Sequence, residues 1–409
     1  MPMDARDRTI LRDLAKEVAE IAALPVMEER RREWKRHNSL KPGRPMILIF
    51  PEGAWCELLP DSVLDCRDAE ARGIEWELRR RIYVYRHFQT DNVIEKEWIV
   101  SKAIHLTSWG LEARHRDSPT ARGAWAFDPV IHTPEDLKKL RFPEVTHDEA
   151  ETQRRLQAAQ DLFGDILDVK LKGVAHISFH LMHHYTGLRG LEQVMVDMRL
   201  NPGMLHDAMA FLEEGNRRIV QQYYEQNLLS LNNDNTYHSS GGVGYTDELP
   251  APGFDPQHVR PCDMWASAES QEMAQVSPRM HREFALQYEA RLLEPFGLNG
   301  YGCCEDLSHK LEDVLTIPHI RRISIAPSAN VDIAAQKLGN RAIFSWKPDP
   351  TFLLDEITPE KLKPYIRHTL EVARGCTLEM ILKDTHTCGG HPQRFDDWSR
   401  IARDLVETV

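Results

Sequence analysis

From residue 168 onward the chain alternates short apolar runs with long amphipathic stretches, and this alternation restricts the fold more than any other feature. DVKLKGVAHI (168–177), NLLSLNN (227–233), GLNGYG (297–302), RRISIA (321–326), RAIFSW (341–346) and CTLEMIL (376–382) have strand length. Stretches such as PGMLHDAMAFLEEGNRRIVQQYYEQ and TPEKLKPYIRHTLEVA lie between them and repeat at helical spacing. Strands separated by helices align in parallel, with the helices outside the sheet. RPMILIF (44–50) adds a seventh strand, and one strand from the region after it would supply an eighth. The expected fold is α/β, a (β/α)8 TIM barrel, with an open doubly wound sheet as the alternative.

Residues 1–40 read as an N-terminal helical extension of two amphipathic helices broken near Pro25, ahead of a barrel spanning 41–409. RRRIYVYRHF, NVIEKEWIV and KAIHLTSWGLEAR alternate apolar and polar residues, which predicts a flanking antiparallel meander. TPEDLKKLRFP and THDEAETQRRLQAAQDLFG are expected to be helices capped by threonine. The stretch from Asp234 to Glu272 reads as one long loop between a strand and its helix, and loops of that length usually carry function.

Charge narrows the partners. Fifty-one basic and 63 acidic side chains give a net charge of −12 without a basic stripe, which argues against nucleic acid. No segment approaches the roughly 18 continuous apolar residues of a membrane span, and the N-terminus is charged from its first residues. A cytoplasmic protein is expected. Seven cysteines without a secretion signal fit reduced thiols better than a disulfide framework.

In a parallel barrel the side chains after each strand converge on one mouth. There the sequence places Glu52, Trp55, His176, His180, Asp234, His238, Cys303, Cys304, Glu305, Asp332, Lys347, Asp349, His386 and Cys388. Cys303 and Cys388 both follow strands, so the fold can bring two thiolates to one ion, and thiolates with an imidazole from His386 or His238 select zinc. The competing reading is plain packing: free cysteines are among the most buried residues, and the histidines of HISFHLMHHYTG can be core or helix residues. Glu52 is harder to dismiss, because a carboxylate behind a buried strand is costly without a partner.

RPMILIF, HISFHLMHHYTG and above all GYGCCEDLSHKLEDVLTIPHIRRISIAPSANVDIAAQKLGNRAIFSWKPDP resemble the uroporphyrinogen decarboxylase superfamily, over most of the chain from about residue 40. Within it the pattern is most similar to the zinc- and corrinoid-dependent methyltransferases. The resemblance implies methyl transfer between a small O-, N- or S-methylated compound and a corrinoid-binding protein, with zinc held by Cys303, His386 and Cys388. Tyr301 stands where that branch has histidine, so the third ligand must come from elsewhere, with His386, Glu305 and His238 at hand. Glu52, His176 and Tyr301 are the expected catalytic groups, and Trp55, His180 and His238 the expected substrate contacts. FPEGAWCE stands in place of an arginine-rich turn, which removes the cations a polycarboxylate substrate needs. A metal-independent decarboxylase or lyase, and a non-catalytic barrel, are the alternatives.

Overall fold

The computed structural model describes residues 3–116, 126–238, 241–354 and 358–408. At its centre seven strands form one sheet: β1 (Met46–Ile49), β2 (Ser178–Phe179), β3 (Trp265–Ala268), β4 (Leu298–Tyr301), β5 (Ile320–Ile325), β6 (Ile343–Trp346) and β7 (Thr377–Leu382). Their spatial order is β1-β7-β6-β5-β4-β3-β2, and every pairing is parallel. From β2 to β7 neighbours in sequence are therefore neighbours in space, and the first strand lies beside the last. A doubly wound sheet reverses its order at a central switch point; this order has no such reversal.

GLNGYG, RRISIA, RAIFSW and CTLEMIL become β4 to β7. DVKLKGVAHI instead forms Asp168–Lys172, which pairs with Glu97–Ser101 outside the main sheet, and β2 starts just after it. NLLSLNN makes only an isolated parallel bridge, Leu229 with Val174. The strand that takes its place in the sheet, β3, is WASA, from within the stretch expected to be loop. All four of its residues are buried, but two alanines and a serine carry no β-branched signal.

The predicted meander is not formed. RRRIYVYRHF lies in a helix, Ala69–His87, in which Ala71, Glu75, Leu78 and Ile82 form the buried stripe. Asp68 caps its first turn, and Arg79–Glu75 and Arg81–Glu77 pair across successive turns. Glu97–Ser101 pairs in parallel, while Ala103–Leu106 pairs antiparallel with the distant Val145–Asp148. Thr133 caps its short helix as expected, whereas Asp148 caps Glu149–Phe163.

Helices α1 (Ala5–Ala22) and α2 (Pro25–Asn38) confirm the break near Pro25. They share the main core, into which Leu11, Val18 and Trp34 are fully buried with the strands. From α2, His37 and Asn38 reach a buried ion pair inside the sheet. Arg322 of β5 donates through Nε to Glu379 of β7 at 2.9 Å and through Nη2 to Asn38 at 2.7 Å. His37, which burial keeps neutral, lies 3.1 Å from the other Glu379 oxygen, and the Arg322 guanidinium sits 5.2 Å above the Trp265 ring of β3. Strands β3, β5 and β7 thus send side chains to one point. In a flat sheet β3 and β7 would stand about 19 Å apart, so the sheet is strongly curved around this cluster.

Glu379→Gln should strand the Arg322 charge and lower stability by about 3–5 kcal/mol. The readout is a lower urea midpoint at unchanged slope; a loss under about 1 kcal/mol would show that the charge is balanced elsewhere.

Candidate functional site

At the carboxyl end of the sheet, residues from three strand ends meet. Gly302, at φ +93°, turns the chain just after β4, a conformation that favours glycine. The turn brings Cys303 Sγ to 3.9 Å from Lys383 Nζ, which follows β7. Lys383 Nζ is in turn 3.2 Å from Asp384 Oδ1 and 3.9 Å from Glu52 Oε1, which follows β1. Cys304 Sγ lies 3.4 Å from Cys303 Sγ and 3.8 Å from Asp384 Oδ2. Strands β4 and β7 are three positions apart, about 14 Å in a flat sheet; curvature and a long lysine close that span.

The loop carrying Glu52 is locked to the loop carrying His386. Ala54 N–H donates to Thr385 O at 3.0 Å, Thr385 Oγ1 donates to Phe50 O at 3.0 Å, and a Cβ on Gly53 would lie 3.2 Å from the His386 backbone and ring. Glu52 itself adopts φ +47°, an uncommon conformation for a residue with a Cβ. Tyr237 packs edge-on against Phe50, with centroids 4.8 Å apart.

Burial raises the Glu52 carboxyl above its ordinary range, against the opposing pull of Lys383. Burial works downward on Lys383, but Tyr237, Cys303, Asp384 and Glu52 around it lift it above the usual lysine value and keep it cationic. Lys347, just after β6, behaves in the opposite way. Its Nζ donates to Ser345 O and Oγ at 2.8 Å each, and burial brings the amine down to about 7. The hydrogen bond to Cys303, followed by burial, pushes the Cys304 thiol up.

The expected site residues divide. Glu52, Cys303 and His386 reach the mouth, and His176 borders it, its Nδ1 3.2 Å from Tyr237 O. His180 turns its Nδ1 to Glu269 at 2.5 Å and lines a cavity with His176, His183, His184 and Trp109. Trp55 packs edge-on against Trp76 and Tyr83 of the helix Ala69–His87. His238 stacks on Trp265, at the opposite end of the sheet, with its Nε2 on Asn232 O at 2.9 Å; burial brings it down to about 3, so it is neutral. Tyr301 is fully buried and faces outward to Glu289 and His281. Cys388 donates its thiol to Glu57 Oε2 at 3.0 Å, and burial and that carboxylate push it up to about 11.

Among the described residues, no three His, Cys, Asp or Glu side chains gather as a metal ion requires. Cys303 is engaged by Cys304 and Lys383, Cys388 by Glu57, so the donor set does not fit a three-ligand zinc site. The residues that sequence reasoning passed over are Lys383 and Asp384. They follow CTLEMIL directly, and the strand-end rule that found Glu52 and Cys303 applies to them equally.

Behind β4 lies a second polar group. Glu289 links to Ser270 Oγ at 2.6 Å and Tyr301 OH at 2.7 Å, and Tyr301 OH to His281 Nε2 at 2.9 Å. Glu305 accepts from Cys303 N–H at 2.8 Å and Ser270 N–H at 3.3 Å, tying the turns after β3 and β4 together. Burial, together with nearby Glu269, raises Glu289 to about 8 and Glu305 to about 7.

No family model matches the chain, and no curated protein matches it in sequence. Among solved structures, a methyltransferase from Methanosarcina mazei is similar over 92% of this chain and 98% of that chain, at 11% sequence identity and a TM-score of 0.46. A likeness of that extent assigns no role to any residue here.

Because Glu289 titrates higher folded than unfolded, it binds its proton more tightly in the native state. Its contribution to stability is complete below the ordinary glutamate range near 4.5 and is lost as pH rises through about 8. Urea midpoints should therefore fall between pH 5 and 8 by more in the native chain than in Glu289→Gln, whose amide stays neutral; identical slopes would show that Glu289 is ionised throughout.

Proposed function

We propose that this chain is an enzyme that transfers a methyl group between a small O-, N- or S-methylated compound and a corrinoid carried by a separate protein. The observation that carries this reading is the meeting of Cys303, Lys383 and Glu52 at the carboxyl end of the sheet. Cys303 belongs to GYGCCEDLSHKLEDV, the stretch in which the resemblance to the corrinoid-dependent methyltransferases is strongest. The same proposal closes the curved sheet into a barrel. In support, β2 to β7 are adjacent in sequence order, β1 lies beside β7, and alternate strands fill one interior layer as they do in closed barrels.

Removing a methyl group from oxygen, nitrogen or sulfur leaves a basic heteroatom that must be protonated or neutralised. Two groups of this chain stand ready for it. Lys383 is held cationic by its neighbours, and Glu52, raised by burial, lies 3.9 Å away. In a partly desolvated mouth either can donate a proton or stabilise the leaving anion. His176 and Tyr237 border the same space.

Lys347 favours a second reading, a metal-independent decarboxylase or lyase, because a buried amine near 7 is a competent base at neutral pH.

Incubated with cob(I)alamin and a panel of methoxy, methylamino and methylthio compounds, the protein should form methylcobalamin, followed by its absorbance. Glu52→Gln and Lys383→Met should each slow the reaction about 100-fold or more with unchanged circular dichroism. A folded protein that transfers methyl from no member of the panel, or that instead releases carbon dioxide from 3-oxo acids, overturns the proposal.

A further inference from the structure

We propose that Cys303 and Cys304 form a bidentate dithiol site for a trivalent organoarsenical, a ligand class defined by one soft atom that takes two sulfurs and brings its own third substituent. The inference goes beyond methyl transfer and stands whether or not that reading holds.

The geometry selects the ligand in three steps. The two sulfurs already lie 3.4 Å apart, and Cys304 is exposed at the mouth. Direct oxidation to a disulfide is disfavoured, because neighbouring Cα atoms are held about 3.8 Å apart, short of the roughly 4.4–6.8 Å that disulfides span. A bridging atom removes that constraint: two sulfurs each about 2.3 Å from one soft centre, as thiolates are from zinc, can lie up to about 4.6 Å apart.

The number of donors then argues against zinc. Zinc asks for three protein ligands or more, and no group of three His, Cys, Asp or Glu side chains arranged to hold a metal ion is present among the described residues. An arsenic atom bearing an organic substituent needs only two. A cation stands beside the pair, with Lys383 Nζ 3.9 Å from Cys303 Sγ.

The step balances without oxidation. Two S–H bonds and two As–OH bonds break, two As–S bonds form, and the two thiol protons leave with the two hydroxides as water. Arsenic stays trivalent throughout.

Phenylarsine oxide is the probe, added to the reduced full-length chain and followed by native intact mass and by peptide mapping of the remaining thiols. One arsenical per chain is expected, with Cys303 and Cys304 protected together, and with release by a 1,2-dithiol but not by an equal concentration of monothiol. Cys304→Ser and Cys303→Ser should each weaken binding about 100-fold with unchanged circular dichroism. Absence of binding, full affinity in either variant, protection of a different cysteine pair, or release by the monothiol overturns the assignment.

Discussion

The Arg322–Glu379 pair is the constraint around which the rest of the structure is arranged. Two fully buried charges in a sheet interior are tolerable only with close geometry and hydrogen bonds from their surroundings. Asn38 and His37 from α2, and the Gly242 N–H, supply further bonds, while Arg322 Nη1 is buried without a hydrogen-bond partner. The segment at 241–242 must run against both side chains. A Cβ on Gly241 would lie 2.1 Å from Arg322 Cδ, and one on Gly242 would lie 2.6 Å from a Glu379 oxygen, so only glycine lets the chain approach. Closing one end of the sheet in this way directs chemistry to the other.

At that other end two polar groups have opposite characters, and the difference is burial. In the cluster at Lys383 the amine stays cationic, with the Glu52 and Asp384 carboxylates and the Cys303 thiol each within 4 Å of it. Among the described residues no ion pair reaches Glu289 or Glu305, and Lys310, which feels the Glu305 charge, donates to Met273 O. Carboxyls there hold protons up to neutral pH. Glu305 joins the two groups through the Cys303 N–H, so the turn that presents the thiols is fixed by a carboxyl whose charge depends on pH.

The strands most legible in the sequence were those with long, β-branched runs, β5, β6 and β7, because continuous apolar residues are what a strand buried on both faces requires. β3 was not legible, since three of the four residues of WASA are small and the run shows no periodicity. The misread helix Ala69–His87 failed for the opposite reason. RRRIYVYRHF alternates over ten residues like a strand, while the i, i+4 stripe that identifies it starts earlier, at Ala71 and Glu75. Glu52 and Cys303 were legible as strand-end groups. The outward turn of Tyr301 and the placement of His238 beside Trp265 were not, because both depend on partners, Glu289 and Asn232, that lie elsewhere in the chain.

Cys388 shows why spacing between cysteines does not establish a shared ligand. Its loop, with Gly389 at φ +65° and Gly390 at φ +73°, folds around Glu57. One Glu57 oxygen accepts the Cys388 N–H at 3.0 Å, the Gly390 N–H at 2.8 Å and the Cys388 thiol. Burial works upward on that carboxyl, but hydrogen bonds from Thr387, Cys388 and Gly390 bring it down to about 2. A carboxylate that stays ionised retains the thiol proton, whereas a metal needs the thiolate. Cys388 therefore serves the turn, and through Thr385 and Ala54 the same loop holds Glu52 in its uncommon backbone conformation. The soft atoms open to the mouth are left to Cys303 and Cys304, and the acid chemistry beside them to Lys383 and Glu52.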